Sequence, residues 1–273
     1  MPEALEEISC NICNSKKATP FLKMDGFAYQ KCVNCSLVFQ NPRPVFDDLK
    51  KRYAENYFDY EISNQENFFA LMKLGLRDIR FDEFYKNDVK KKRFLDIGCA
   101  TGLLLNHMKS KGWITKGVEI CKQSAEYGIK NFGLDVFTGT LEEAAFPDHY
   151  FDAVHFSHLI EHVPDPKALL LEIRRILKRD GRMILTTPNA GGFQARAAKG
   201  TWRSAIPDHI YLFTKKTMKT LLERTEYKII KQLSWGGIPA GKRPGVIKKP
   251  ADRLAKYFNV GDVMLFHCTP VWK

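Results

Sequence analysis

The chain has 273 residues, 44% of them hydrophobic, with 43 Lys and Arg against 31 Asp and Glu. This composition excludes collagen-like, disulfide-dense and disordered chains, and the length suits one α/β domain with an appendage. The formal net charge of +12 indicates an acidic partner. Most of the excess lies in residues 191–273, which contain 16 basic and 5 acidic side chains.

The N-terminal residues, MPEALEEIS, are acidic and lack the basic-then-apolar pattern of a secretion signal. No apolar run approaches the roughly 18 residues that span a membrane. We therefore expect a cytoplasmic protein without a membrane span.

Four cysteines form two pairs, Cys10-x-x-Cys13 and Cys32-x-x-Cys35, which are separated by 18 residues. This spacing is typical of a zinc ribbon or knuckle. Two disulfides or four unrelated thiols are the alternative, which the missing secretion signal disfavours. We predict a zinc-binding knuckle over residues 1–44 and a structural role for the metal, because four thiolates leave no open coordination position.

Two kinds of periodicity follow the knuckle. Apolar residues recur at near-helical intervals from Glu66 to about Lys90, which predicts a helical connector or lid over residues 45–93. Short apolar strands then alternate with amphipathic helices, which is typical of an α/β fold with a doubly wound, mostly parallel sheet. We predict strands near 94–98, 114–119, 134–138, 151–156, 182–187, 227–235 and 264–270, and helices near 102–110, 122–132, 166–178 and 215–225.

The strongest local motif is the strand and turn FLDIGCATG at residues 94–102. Gly98 and Gly102 permit a tight turn close to a ligand, and Glu119 follows about 20 residues later, where an acid can bind ribose hydroxyls. The turn lacks the G-x-G-x-x-G pattern of dinucleotide sites. Asp96, two residues before the first glycine, would repel a pyrophosphate but suits a cationic ligand such as an adenosyl sulfonium.

The chain resembles a class I S-adenosylmethionine-dependent methyltransferase over residues 94–235, in the runs LDIGCATG, GVEI, GTLEEAAFPDHYFDAV, HLIEHVPDP and ILTTPN. The CxxC pairs, an NPRP turn and the segment W-x-x-x-x-P-D-H-I-Y-L-F resemble a bacterial subgroup of small-molecule methyltransferases with a zinc-binding N-terminal extension. The resemblance implies a Rossmann-like seven-stranded fold over residues 94–273, with substrate-side insertions at about 190–213 and 236–261. It also implies S-adenosyl-L-methionine as cofactor and a structural Zn ion.

The resemblance assigns the cofactor site residue by residue. The commonest version of the loop has a glycine where Ala100 stands, which is a mild departure. The implied contacts are Asp96, Gly98, Cys99 and Gly102 for the methionine part, Glu119 for the ribose, and Ile120, Thr140, Leu141 and Ser157 for the remaining pocket.

Methyl transfer depends mainly on positioning and desolvation, and a base is needed only when the acceptor arrives protonated. Candidate residues follow the fourth predicted strand in Ser157–His162, where His158, Glu161 and His162 would share one helical face. Structural hydrogen bonding, general-base catalysis and divalent-metal ligation all remain open. We favour His158 as the base and a structural or substrate-orienting role for Glu161 and His162. His209 is a further catalytic candidate that would orient the substrate or cap its loop.

The segment at 190–213 supplies the predicted substrate contacts Arg196, Trp202, Arg203 and Tyr211. Arginine suits a carboxylate or phosphate, and aromatic rings suit a ring or acyl face. The alternative is an amphipathic surface helix with Trp202 packed beneath it. A second basic stretch at 241–256 is a solvated surface or an anion contact.

Three functions are consistent with these residues. The leading one is methyl transfer to an O, N or C atom of an anionic small molecule, such as a nucleotide-linked sugar, an acyl intermediate or a natural-product intermediate. The first alternative is an RNA methyltransferase that uses the zinc ribbon and the basic C-terminal third. The fourth strand ends in HFSHL and not in the N/D-P-P-Y/F of base-modifying enzymes, so nucleic acid is the disfavoured partner. The second alternative is a cofactor-binding module without transfer activity.

Overall fold

The computed structural model of the protein describes residues 3–53, 55–85, 91–237 and 245–272. Its N-terminal part consists of short strands and three helices. In chain order these are β1 (Leu5–Glu6), β2 (Ala18–Lys23), β3 (Ala28–Cys32), β4 (Val38–Gln40), β5 (Arg43–Pro44), α1 (Phe46–Lys51), α2 (Glu55–Asp78) and α3 (Phe81–Phe84).

The rest of the described chain alternates strands with helices, and a short 3₁₀ helix spans Lys199–Thr201. These elements are β6 (Arg93–Ile97), α4 (Leu103–Ser110), β7 (Ile114–Glu119), α5 (Lys122–Phe132), β8 (Val136–Thr138), β9 (Phe151–Ser157), α6 (Pro166–Ile176), β10 (Leu177–Pro188), α7 (Phe193–Ala198), β11 (Tyr211–Leu212), α8 (Lys215–Arg224), β12 (Tyr227–Trp235), α9 (Gly245–Tyr257) and β13 (Val263–Pro270).

Seven of these strands form the main sheet in the order β12-β13-β10-β9-β6-β7-β8. The five strands from β8 to β10 are parallel, and β13 is antiparallel to both of its neighbours. The predicted α/β fold with a doubly wound, mostly parallel sheet is therefore confirmed. In such a sheet ligands bind beyond the carboxyl ends of the strands, which here are the ends of β6, β7 and β9.

The central strands are continuous apolar runs because helices cover both of their faces. In β6, Phe94 and Leu95 are fully buried and Ile97 is 3% exposed. Helix α6 begins where the side chain of Asp165 accepts a hydrogen bond from the backbone N–H of Ala168, a standard N-cap.

At β10, the observed bounds of a helix and a strand differ from the predicted ones. The helix predicted at 166–178 ends at Ile176, and β10 begins at Leu177, where the residue already pairs with Phe151. The register shifts between Leu177 and Arg182, so the early part of the strand is irregular and gives no clean pattern.

A second sheet joins the N-terminal part of the chain to residues 211–212. Its order is β11-β4-β3-β2, and Tyr211 of β11 lies opposite Phe39 of β4. The cysteine-containing unit that was predicted over residues 1–44 thus shares its sheet with a strand from the segment at 190–213.

The predicted helical connector is present but starts sooner than the apolar pattern indicated. Helix α2 begins at Glu55, whereas the periodicity started at Glu66. Its first turns bury a polar side chain, Glu61, so they show no apolar stripe. Among the described residues, no helix combines the length and apolarity needed to cross a bilayer. Of the predicted insertion at 236–261, residues 238–244 lie outside the described residues, and α9 follows them.

Candidate functional site

The loop between β6 and α4 adopts the tight turn that its glycines predicted. Gly98 and Gly102 have φ values of 67° and 82°, and Ala100 lies between them at 50°. The N–H groups of Gly98 and Cys99 donate to the carbonyl oxygen of Val118, at 2.8 and 3.2 Å. A Cβ atom at position 102 would come within 2.4 Å of Leu134 Cδ1. The loop is therefore held against the end of β7 in a form that excludes larger side chains at Gly102.

Two buried acids lie at the ends of β6 and β7. Glu119 is 4% exposed, and its two oxygens accept hydrogen bonds from the N–H groups of Ala100 (2.9 Å) and Cys121 (2.8 Å). Asp96 is 2% exposed, and its Oδ1 lies 2.7 Å from Nδ1 of His155. Burial raises the pKa of both carboxyl groups, although these partners oppose the shift.

This arrangement suits a ligand that brings hydrogen-bond donors or positive charge. Carboxylate oxygens keep spare lone pairs after one hydrogen bond, so Glu119 can still accept from two hydroxyl groups. A cationic ligand would offset the cost of burying two acids close together. The residues present thus fit an adenosyl sulfonium.

The other predicted cofactor residues lie at the same edge of the sheet. Ile120 directly follows β7, and Thr140 follows β8, where its N–H donates to Glu143 Oε2 at 2.7 Å. Leu141 and Cys99 are 3% and 4% exposed. The last residue of β9, Ser157, has its hydroxyl oxygen 2.5 Å from that of Thr186.

A second polar cluster follows β9 and is built around Glu161, which is 1% exposed. Its Oε2 accepts from the Thr187 hydroxyl at 2.9 Å. Among the described residues its Oε1 has no hydrogen-bond partner of good geometry, and the ring nitrogen Nδ1 of His158 lies 3.3 Å away. Burial alone would raise the pKa of Glu161, but the contact with His158 outweighs this effect and lowers the pKa to about 2. Glu161 is therefore an anion at neutral pH.

The imidazoles of His162 and His209 converge on this anion, with ring centres 4.6 Å apart. His162 Nδ1 lies 2.9 Å from the Asp208 carbonyl oxygen, and His209 Nδ1 lies 2.8 Å from that of Ser204. A carbonyl can only accept, so we assign the proton of each neutral ring to Nδ1, which leaves Nε2 as an acceptor.

Both rings are kept neutral by their surroundings. Burial and the neighbouring His162 lower the pKa of His209 to about 4, and burial lowers that of His162. Ligand atoms of Glu161, His162 and His209 all lie within 4.8 Å of one another. The cluster can therefore accept a proton from a substrate or hold a divalent cation, and both alternatives from the sequence remain open.

Residues just before α2 and in its first turns lie next to the polar groups. They were not predicted from the sequence as site residues. The Tyr53 ring lies 4.9 Å from that of Tyr57 and 6.3 Å from that of His162. Glu61 Oε2 accepts from the Ser124 hydroxyl at 2.9 Å. Burial raises the pKa of Tyr53, and the charges of Asp208, Glu161 and Glu119 add to the rise. The aromatic-rich run after residue 52 was the only signal that could have found them.

The predicted substrate residues separate into different environments. Asp262, 1% exposed, accepts from Trp202 Nε1 at 2.7 Å and from Arg203 Nε at 2.8 Å. The charge of Arg203 is thus paired with the carboxylate of Asp262, and the side chain of Trp202 is buried. Arg196 remains exposed and lines an open cleft.

Tyr211 requires a correction. Its side chain is 1% exposed, and its hydroxyl accepts from Arg43 Nη1 and donates to the Pro164 carbonyl, both at 2.9 Å. A residue enclosed in this way between the two sheets cannot touch a substrate, so we do not keep it as a binding residue.

The four paired cysteines converge as their spacing predicted. Their Sγ atoms all lie within 4.8 Å of one another. Cys10 and Cys32 each begin a turn of the same kind. The N–H of Cys10 donates to the carbonyl oxygen of Ser15 at 3.0 Å, and the N–H of Cys32 donates to that of Leu37 at 2.8 Å. This repeated turn brings four thiols to one point, and the donor set fits a tetrahedral Zn ion.

Comparison with known proteins identifies the family. Residues 70–232 match the family model described as a methyltransferase domain. The match covers more than half of the chain, and the chain belongs to this family.

Curated relatives are named for one reaction. The chain is 32% identical over 110 residues to the ubiquinone biosynthesis O-methyltransferase of Neisseria meningitidis serogroup C, which covers 37% of this chain and 46% of that protein. It is 28% identical over 160 residues to the enzyme of the same name from Histophilus somni, which covers 55% and 66% of the two chains. The chain thus spans about half the length of the first of these relatives.

A solved structure shows the same fold. The crystal structure of a SAM-dependent methyltransferase from Archaeoglobus fulgidus superposes with a TM-score of 0.56 at 22% identity, covering 79% of this chain and all of that one. The predicted Rossmann-like fold is thus shared with a methyltransferase of known structure.

Proposed function

We propose that this protein transfers a methyl group from S-adenosyl-L-methionine to an O, N or C atom of an anionic small molecule. The observation that carries the proposal is the meeting of two buried polar groups at one sheet edge. Asp96 and Glu119 lie at the carboxyl ends of β6 and β7, the Glu161 cluster follows β9, and the Tyr53 ring lies 6.3 Å from that of His162 in this cluster. Cofactor and acceptor would meet beneath α2.

The cofactor residues are proposed from this geometry and from the family. Glu119 would accept the ribose hydroxyls, Asp96 would face the cationic part, and Gly98 and Gly102 would allow the backbone to approach it. When bound, the cofactor supplies a methyl group on a sulfonium, a good leaving group. The protein's task is then to exclude water and to align the acceptor.

We propose His209 as the group that takes a proton from the acceptor. Its Nδ1 faces the Ser204 carbonyl, which makes Nε2 the proton-accepting atom of the neutral ring, and its depressed pKa of about 4 keeps the ring neutral at physiological pH. The nearby carboxylate of Glu161 would stabilise the imidazolium cation that forms on His209. The sequence favoured His158, but its side chain is one-third exposed, and the His158 Nδ1 faces Glu161. His158 and His162 are then proposed to orient the acceptor.

Two further properties belong to the proposal. The names of the curated relatives support oxygen as the acceptor atom. A structural Zn ion at the four cysteines, in a chain whose seven cysteines are all free thiols, suits the reducing cytoplasm.

Labelled methyl transfer tests the proposal. The purified protein would be incubated with methyl-labelled S-adenosyl-L-methionine and a cell extract, and label would be counted in the small-molecule and RNA fractions. We expect label among the small molecules, and His209→Gln should lower transfer about 100-fold while cofactor binding persists. Label in RNA would replace the proposal with the RNA alternative, and label in neither fraction would favour a binding module.

A further inference from the structure

A cleft on the C-terminal side of the main sheet gathers positive charge that the proposed reaction does not use. It lies between α7, α8 and the end of β10 and has a volume of about 690 Å³. Its lining includes Arg196, Lys215, Lys216 and Lys219. One acid, Glu223, lies near the C-terminal end of α8 and is the only acidic residue among the described lining residues.

The cationic groups lie close enough to repel one another. Burial lowers the pKa of Lys215, and the charges of Lys219 and Arg196 lower it further. Lys215 Nζ donates to the carbonyl oxygen of Asn259 at 2.6 Å, which fixes it at the cleft wall. Within the described part of the chain, none of these cations forms an ion pair. Arg203, by contrast, is neutralised by Asp262 at 2.6 Å.

The cleft begins close to the proposed reaction site. Thr187 donates to Glu161, and Asn189, two residues further along the chain, lines the cleft. Thr187 lies near the end of β10 and Asn189 directly follows that strand, so the Glu161 cluster and the cleft adjoin the same segment of chain.

We propose that this cleft binds the phosphate or diphosphate group of the methyl acceptor, an inference that rests on the proposed function. A carboxylate carries a single charge, whereas a diphosphate presents several charges and many acceptor oxygens to a group of cations. The Arg196 fork suits two phosphate oxygens, and lysines act as point charges around it. The acceptor would then be a phosphorylated small molecule that places its reactive atom beside His209.

Calorimetric titration of the full chain with inorganic pyrophosphate tests the cleft directly. Arg196→Gln combined with Lys219→Gln removes two exposed charges from the cleft. Lys23→Gln combined with Lys31→Gln removes two exposed charges from the N-terminal sheet and is the matched control. We expect the first pair to weaken pyrophosphate binding about tenfold and the control to leave it unchanged. Lys216→Gln gives a second, independent loss of charge. Equal weakening by both pairs, or no binding by the unaltered chain, would overturn the proposal.

The titration needs no methyl transfer, so the two proposals can fail separately. If label enters an anionic small molecule that has no phosphate group, with the same KM in the cleft variant, the cleft proposal is wrong and the methyltransferase proposal stands. If no fraction is labelled but pyrophosphate binding depends on the cleft, the methyltransferase proposal is wrong and the cleft remains an anion-binding site. Label in RNA that depends on Arg196 and Lys219 would assign the cleft to a nucleic-acid backbone and overturn the small-molecule proposal.

Discussion

At the scale of single residues, Glu119 links the cofactor loop to the second strand of the main sheet. Its carboxylate accepts the N–H of Ala100, a residue held in the left-handed region at φ 50°. An L-residue with a Cβ atom pays about 1 kcal/mol for that conformation, and the hydrogen bond from a carboxylate helps to offset it. Glu119 therefore shapes the loop as well as offering oxygens to a ligand.

Replacing Glu119 by Ala should weaken cofactor binding by about 1 to 3 kcal/mol, because a buried charged hydrogen-bond acceptor is lost. Isothermal titration with S-adenosyl-L-methionine measures this. Glu126→Ala, an exposed acid on the next helix, is the control and should bind normally. Unchanged affinity in Glu119→Ala would remove this residue from the site.

The positions of residues at a turn or at a strand end could be predicted from the sequence. Gly98, Gly102 and Glu119 were predicted because a turn and a strand end have a recognisable pattern within 25 residues. Tyr53 and Glu61 were not, because they reach the site from a helix that crosses it, and no periodicity encodes that crossing. Tyr211 was misassigned for the same reason, since its partner Arg43 is 168 residues away.

At the scale of elements, α2 is attached to the main fold through polar contacts near the proposed site. Glu61 bonds to Ser124 of α5, and the Thr101 hydroxyl donates to Gln65 at 3.0 Å. Burial and the charge of Glu119 raise the pKa of Glu61 to about 7. The ionised form of Glu61 is thus unfavourable where it docks.

This attachment should depend on pH. The folded pKa of Glu61 lies above its usual 4.5, so the folded state holds the proton more tightly. Stability from Glu61 is then complete below about pH 4.5 and is lost as the pH rises through 7. Glu61→Gln should therefore become more stable than the unaltered chain by roughly 2 to 4 kcal/mol between pH 5 and pH 8. Urea unfolding at several pH values measures the difference, and a difference that stays constant with pH would contradict the assignment.

The bounds of helices and strands could be predicted where their cause is local in the sequence and could not where it is distant. Strand β7 and helix α5 have the predicted bounds, because both carry clean patterns and end in turns. The strands of the N-terminal sheet were not predicted, since they are short and one of them, β11, comes from residues 211–212.

At the scale of the whole molecule, the cysteine cluster is part of the main core. Cys10, Cys32 and Leu37 belong to one buried cluster with Phe213, which directly follows β11, and Leu221, which lies in α8. Strand β3, which ends at Cys32, also carries Tyr29, whose hydroxyl donates to the His209 carbonyl oxygen at 2.8 Å. We therefore expect metal loss to affect the whole protein.

Metal analysis should find about one zinc per chain, and chelation should lower the melting temperature in a single transition. It should also reduce methyl transfer, because His209 would lose its support. Readdition of zinc should restore both. A metal-free protein with unchanged melting behaviour would show that the cysteines do not hold a structural ion.

The pairing of β11 with β4 has a consequence for how this protein could exchange parts with its relatives. The strand after His209 completes a sheet that residues 18–40 begin. A chimera that replaced only the segment at 190–213 by one with a different backbone path would remove the strand that pairs with β4 and the His209 carbonyl that accepts from Gln40 at 3.2 Å. Functional recombinants should therefore inherit the cysteine-rich N-terminus and this distant segment from the same parent, although more than 140 residues separate them in the gene product.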